Sequence, residues 1–226
     1  MSRSPSFQRI LDSAEHLTYR AQRLIIGQSL AHEFQESQLS PVFRSNGTAH
    51  PGGRLYNDLL AGGFVDWRLT VRGLVTRPLD LSLEQLRAMP RRTQITRHDC
   101  VEGWTAIGKW SGVRLGFVLD QAQLLPAARF IVFYCADELE RDDGGYYESV
   151  DLIDAFHPQT LLAYELNGRP LPVANGAPLR LRVERQLGYK QAKYLMRIEA
   201  VAEVDGIGRG HGGYWEDRGY EWYAGI

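Results

Sequence analysis

Cys100 stands in the run Thr96–Trp110, TRHDCVEGWTAIGKW, with Arg97, His98, Asp99 and Glu102 around it and Gly103 and Trp104 directly after. The chain has 2 cysteines. The other, Cys135, ends the apolar run ARFIVFYCA, where a thiol behaves as a small buried hydrophobe. A thiol with polar neighbours at the end of a β-rich run is better placed for chemistry. As a nucleophile it would need a histidine base. His98 would face the same side of a strand, and His50, His157 and His211 are further candidates. As a metal ligand it lacks the Cys-x-x-Cys or His-x-x-x-His companions of a structural zinc site. A lone thiolate suits a metal whose other ligands come from a cofactor.

A second group of residues suits an anion. Arg180–Lys193, RLRVERQLGYKQAK, gathers Arg180, Arg182, Arg185, Lys190 and Lys193 around Gly188. A glycine lets the backbone approach closely, and neighbouring N–H groups and lysines can hold a phosphate. Arg180 and Arg182 alternate, so they share one strand face, and a solvated face is an equally open reading of that pair. The loop Leu39–Gly53 adds Arg44, Asn46 and His50, able to hold a polar ligand or simply to run over the surface. The acidic stretch DELERDDGG reads as a solvated hairpin loop before a cation site.

The elements that must position these groups follow from periodicity. About Ser6 to Gln38 reads as a helical arm, broken near Gly27 and resumed by LAHEF, on the three- and four-residue spacing of Phe7, Ile10, Leu11, Ala14, Leu17, Ala21 and Leu24. WRLTVRGLVTRP alternates as a half-buried strand. LSLEQLRAM is a short helix with Ser82 and Gln85 at capping-box spacing. TQITRHDC is a strand entering the cysteine motif, Leu115–Ala122 a helix, and Asn167-Gly168 a hairpin turn. A long strand with Leu195, Arg197, Ile198 and Val201 comes late. The aromatic-rich tail GIGRGHGGYWEDRGYEWYAGI is expected to lie on the domain surface.

Two regions are therefore expected: an arm over residues 1–38 and a domain over 39–226. Many short strands, few helices and no βαβ regularity give an α+β fold with mixed or antiparallel sheets. The 226 residues carry a net charge of -1, which suggests neither a nucleic-acid nor an anionic-membrane partner. No apolar run reaches the roughly 18 residues of a membrane span.

Three motifs in order resemble the molybdenum-cofactor domain of the sulfite oxidase family, chiefly its small bacterial members, which include methionine sulfoxide reductase catalytic subunits. They are RHDCVEGW…KWSGVRL, HPQTLLAYELNGRPLPVANGAPLRLRV and LGYKQAKYL. The resemblance covers about Ser40 to Val204. It implies a molybdopterin-binding α+β domain with mixed β-sheets and short helices. It implies Cys100 as the thiolate ligand of molybdenum, with the remaining ligands from the cofactor's dithiolene and oxo groups. Asn46 would contact the pterin, Asn175 and Arg180 match cofactor-binding positions, and Gly188, Tyr189, Lys190 and Lys193 would hold the phosphate. Glu102 matches an acid near the metal and would carry protons; His98 and Asp137 lie beside matched positions.

The expected activity is two-electron oxygen-atom transfer, reducing a small S-oxide or N-oxide. Sulfite-oxidising members carry extra arginines after the ligand, where this chain has Val101, Glu102 and Gly103. Sulfite oxidation and a thiol-dependent hydrolase using Cys100 are the alternatives, with a non-catalytic cofactor-binding module as a third. Neither the haem domain nor the dimerisation domain of larger members is expected, which leaves a monomer served by a separate haem or cytochrome partner. A mature periplasmic form is expected, with the cytoplasm as the alternative.

Overall fold

The computed structural model describes residues 29–137 and 145–226. The described residues from Ala31 to Ile226 belong to one compact unit. The expected arm lies outside the described residues up to position 28. Beyond it the expectation fails: residues 29–35 are not helical, and only a 3-10 turn, Glu36–Gln38, follows. The physical reason is pairing elsewhere. Phe34 N–H donates to the Ile95 carbonyl at 2.8 Å, and Ala31 N–H to Gln159 Oε1 at 2.8 Å.

Among its described residues the unit contains ten strands: β1 Arg68–Gly73, β2 Leu79–Ser82, β3 Arg91–Asp99, β4 Thr105–Arg114, β5 Phe130–Cys135, β6 Tyr147–Asp151, β7 Leu161–Leu166, β8 Arg169–Pro170, β9 Arg180–Arg182 and β10 Leu195–Val201. Four short helices accompany them: α1 Arg54–Ala61, α2 Leu83–Ala88, α3 Leu115–Ala122 and α4 Leu152–Ala155. One sheet runs β2-β1-β10-β5-β6 and is mixed, because β1 pairs β10 in parallel. The other runs β3-β4-β7-β8, wholly antiparallel, with β9 also on β7.

Local chemistry explains several boundaries. Ser82 Oγ accepts from Gln85 N–H while Gln85 Oε1 accepts from Ser82 N–H, so the capping box fixes the start of α2. Asn167 and Gly168, at φ 52° and 74°, form the left-handed pair that joins β7 to β8. α1 is the helix that periodicity did not reveal, because Tyr56 is its one buried residue.

One apolar core serves both sheets. It joins Leu69 and Val71 of β1, Ile131 and Phe133 of β5 and Ile198 of β10 to Val113 of β4, Leu162 of β7 and Leu181 of β9, with Val118 and Leu119 of α3. The two ladders are therefore fixed relative to each other, and the loops at their ends can be held in place.

Candidate active site

β3 and β4 pair without interruption from Arg91–Val113 to Asp99–Thr105, and the chain reverses between them at Cys100–Trp104. Two backbone bonds shape this reversal: Cys100 N–H to the Trp104 carbonyl at 2.9 Å, and Gly103 N–H to the Cys100 carbonyl at 3.0 Å. Gly103 sits at φ 84°, a conformation that favours glycine. Below the turn, Asp99 accepts from Thr105 Oγ1 at 2.7 Å and from Arg97 Nε at 2.8 Å. Cys100 is thereby placed at the end of a rigid ribbon.

The Cys100 turn opens on a cavity of about 300 Å³. Cys100 and Glu102 line it from the turn, Asn46 and Thr48 from the long loop, and Asp137 and Tyr146 from the segments after β5 and before β6. Gly188, Tyr189, Gln191 and Lys193 line it from the glycine turn, and Trp215 and Tyr220 from the tail. Burial pushes the Cys100 thiol above its ordinary value; the Glu102 backbone N–H opposes this and the Glu102 carboxylate adds to it. Glu102 is exposed, and its Oε2 accepts from Trp104 Nε1 at 2.9 Å.

Lys193 holds the long loop in place. Its ammonium donates to the carbonyls of Asn46 at 2.7 Å, Ala174 at 3.1 Å and Thr48. Asn46 Nδ2 in turn donates to the Gly188 carbonyl at 3.3 Å, and its Oδ1 has no partner. Burial lowers Lys193 to about 7, with Arg180 adding to the effect and Asp137 opposing it. Burial raises Asp137 to about 7, opposed by Lys193.

A buried layer completes the site. The guanidinium groups of Arg180 and Arg182 lie over the Trp110 ring, 5.1 and 4.4 Å from its centroid. The solvated-face reading of this pair is corrected: both arginines are fully buried. Arg182 is paired with Glu184. Arg180 instead donates to the carbonyls of Asn175 at 3.0 Å and Gln191 at 3.2 Å, and its Nε has no partner.

Arg182 Nη1 contacts His98 Nδ1 at 2.9 Å. A guanidinium can only donate, so Nδ1 accepts and Nε2 carries the proton. Burial first, then Arg182, hold His98 well below its ordinary value, so it is neutral. His98 Nε2 and Asn175 Nδ2 are also buried without partners. A Cβ at Gly188 would fall 2.5 Å from His98 Nε2, so only glycine lets this turn lie against the ring.

The structure thus brings Asn46, Cys100, Glu102, Asp137, Gly188, Tyr189 and Lys193 to one cavity. His98, Asn175 and Arg180 stand in the layer joined to it. Lys190 lies in the same 3-10 turn as Gly188 and Tyr189, but its side chain points into a different set of partners. Its ammonium is buried between Glu148 and Glu216, 5.3 Å from the Trp222 ring centroid, and is not on the cavity wall. Thr48, Tyr146, Gln191, Trp215 and Tyr220 were not anticipated. Only the aromatic density of the tail hinted at the last two. No histidine lines the cavity among the described residues, and His98 Nδ1 is already occupied, so Cys100 lacks the base a thiol hydrolase needs.

Comparison with known proteins agrees with this arrangement. The family profile described as the oxidoreductase molybdopterin binding domain matches residues 61–206, more than half of the chain. A putative protein-methionine-sulfoxide reductase subunit of Azospira oryzae is 37% identical over 199 residues, covering 85% of this chain and 70% of that protein. A protein-methionine-sulfoxide reductase catalytic subunit of Xanthomonas campestris is 35% identical over 147 residues, covering 61% of this chain and 46% of that one. The chain thus spans under half the length of that second relative. The crystal structure of the sulfane dehydrogenase SoxCD from Paracoccus pantotrophus superposes with a TM-score of 0.57 at 24% identity, over 62% of this chain and 40% of that one, a likeness of fold. On the match over residues 61–206 and the relative covering most of its length, the chain belongs to the oxidoreductase molybdopterin binding domain family, enzymes whose cofactor is molybdopterin with molybdenum.

Proposed function

We propose that this protein reduces a neutral S-oxide by two-electron oxygen-atom transfer, with Cys100 as the one protein ligand to molybdenum. The observation that carries the reading is a buried cation, Arg180, with no carboxylate among its hydrogen-bond partners, in the layer joined to the cavity that Cys100 lines. Buried charges are ordinarily matched, and Arg180 has only carbonyls as its hydrogen-bond partners. An anionic cofactor would match it.

The residues present fit molybdopterin. His98 Nε2, Asn175 Nδ2 and Arg180 Nε are buried donors without partners, and Asn46 Oδ1, Asp137 Oδ1 and Gln191 Oε1 are buried acceptors without partners. A pterin edge carries both kinds of group, and a phosphate wants donors. Gly188, the backbone at Tyr189 and Arg180 would hold the phosphate, with Lys193 adding its charge while its three donors serve the carbonyls of Asn46, Thr48 and Ala174; Asn46, His98, Asp137 and Asn175 would hold the pterin. When bound, the cofactor supplies a centre that exchanges an oxygen atom and two electrons with the substrate.

The chain's own groups orient the substrate and move protons. Reduction of an S-oxide consumes two electrons and two protons and releases the sulfide and water. Glu102, exposed at the cavity wall and steadied by Trp104, is placed to deliver a proton. Its charge also supports a neutral substrate over sulfite, since a carboxylate at the entrance repels an anion. The methionine sulfoxide activity named for both relatives supports the S-oxide class. The electrons would come from a separate haem protein or cytochrome, and the periplasm is the proposed compartment.

The test is expression with molybdate, followed by metal analysis and turnover assays. Stoichiometric molybdenum, released pterin and oxidation of a reduced viologen dye by methionine sulfoxide are expected. Absence of molybdenum, or sulfite oxidation without S-oxide reduction, would contradict the reading.

A further inference from the structure

The family match ends at residue 206, yet the tail beyond it contributes two rings to the cavity, Trp215 and Tyr220. These rings form a built surface. The 3-10 turn Glu216–Arg218 is closed by Gly219 at φ 95°, and Tyr220 N–H donates to the Trp215 carbonyl at 3.1 Å. That reversal lays Tyr220 on Trp215, with centroids 5.3 Å apart and planes at 29°. Tyr220 meets Tyr189 edge-on at 5.2 Å, and Trp215 meets Tyr214 edge-on at 5.4 Å. Tyr214 stacks on Tyr146 of the cavity wall at 5.5 Å.

The turn is fastened from beneath. The Glu216 carboxylate is buried on Lys190, which Glu148 also binds. Asp217 accepts from Tyr147 Oη at 2.6 Å and from Arg209 N–H at 2.9 Å. Farther along, Leu187 N–H donates to the Ala224 carbonyl at 2.8 Å and Ile226 N–H to the Arg185 carbonyl at 3.0 Å. The rings are therefore held before any ligand arrives, which reduces the entropy lost on binding. Lys190 here acquires a role: it anchors the tail.

We infer that Trp215 and Tyr220 select the organic arm of the substrate, favouring S-oxides with an apolar or aromatic substituent over minimal ones; this rests on the S-oxide reading above. The unpartnered donors suited to an anionic cofactor lie at His98, Asn175 and Arg180, while the tail contributes aromatic rings to the cavity wall. Aromatic rings attract apolar groups and sulfur. The specificity element thus lies beyond residue 206, where the match to the family profile ends.

The test compares methyl phenyl sulfoxide with dimethyl sulfoxide on the molybdenum-loaded enzyme, for wild type, Trp215→Ala, Tyr220→Ala and Trp215→Phe. Discrimination in kcat/KM between the two substrates is expected to fall about tenfold in Trp215→Ala, the scale of a lost apolar contact, mainly through KM. Trp215→Phe should restore most of it. Molybdenum and pterin content, measured on the same samples, should stay at the wild-type level in all variants. Unchanged discrimination in both alanine variants overturns the inference while the S-oxide reading stands. Loss of cofactor in Trp215→Ala also overturns it, by showing that the wall holds the cofactor. A wild-type enzyme that turns over neither sulfoxide defeats the S-oxide reading itself, and the inference with it.

Discussion

Arg180 constrains the ligand more than any other side chain at the site. Burial lowers it to about 9, with Arg182 adding to the effect, and its hydrogen bonds go to carbonyls alone. Arg180→Met should therefore lower bound molybdopterin about tenfold, the equivalent of one charge-assisted contact, while the cofactor-free protein unfolds at nearly the wild-type urea midpoint. Full cofactor retention in that variant would remove the counter-ion argument. Asp137 and Lys193 make a second prediction. Asp137 is raised to about 7, so from the ordinary carboxylate range up to about 7 the folded state binds more protons, and stability falls as pH rises. Lys193 is lowered to about 7, so above about 7 the unfolded state binds more protons, and stability rises again toward the ordinary lysine value. The two together give the cofactor-free protein a stability minimum near pH 7. A thermal-unfolding series across pH should show this dip flattened in Asp137→Asn/Lys193→Met. An equally deep dip in the double variant would contradict both assignments.

At the scale of elements, the β3–β4 ribbon is the support on which Cys100 depends. β4 is joined on its other side to β7 with a register shift between Ser111 and Gly112. A Cβ at Gly112 would lie 2.1 Å from the Leu162 carbonyl oxygen, so Gly112→Ala must displace backbone. It should destabilise the fold by about 3 kcal/mol, read by urea unfolding, the upper end of ordinary overpacking costs. A loss below a few tenths would show that the ribbon is not held as described. Much of this architecture was legible from pattern: the capping box at Ser82, the Asn167-Gly168 turn and the α3 span each rest on local chemistry. What pattern could not show were partnerships distant in sequence. Arg180 and Arg182 alternate like a solvent-facing strand, but Trp110 covers them. Lys190 stands beside Gly188 in sequence, yet two carboxylates, Glu148 and Glu216, draw its ammonium away from the cavity. Residues 29–35 share the apolar spacing of a helix but pair with β3 and Gln159 instead.

Across the whole molecule, a near-neutral chain concentrates cations inside. The net charge is -1, yet Arg180, Arg182, Lys190 and Lys193 are all buried. Two of these cations have carboxylate partners: Arg182 with Glu184, and Lys190 with Glu148 and Glu216. Arg180 and Lys193 remain beside the cavity, donating to carbonyls, where an anionic cofactor would reach them. No helix among the described residues is long and apolar enough to cross a membrane. The two sheets share one core, the cysteine turn and glycine turn meet at one cavity, and the tail supplies its aromatic wall. The central claim is that Cys100 supplies the protein's one bond to molybdenum. X-ray absorption at the molybdenum edge tests it most directly, comparing wild type with Cys100→Ser at equal metal loading. One sulfur fewer around the metal is expected in the variant, with the cofactor's own sulfurs retained. An unchanged sulfur count would contradict it.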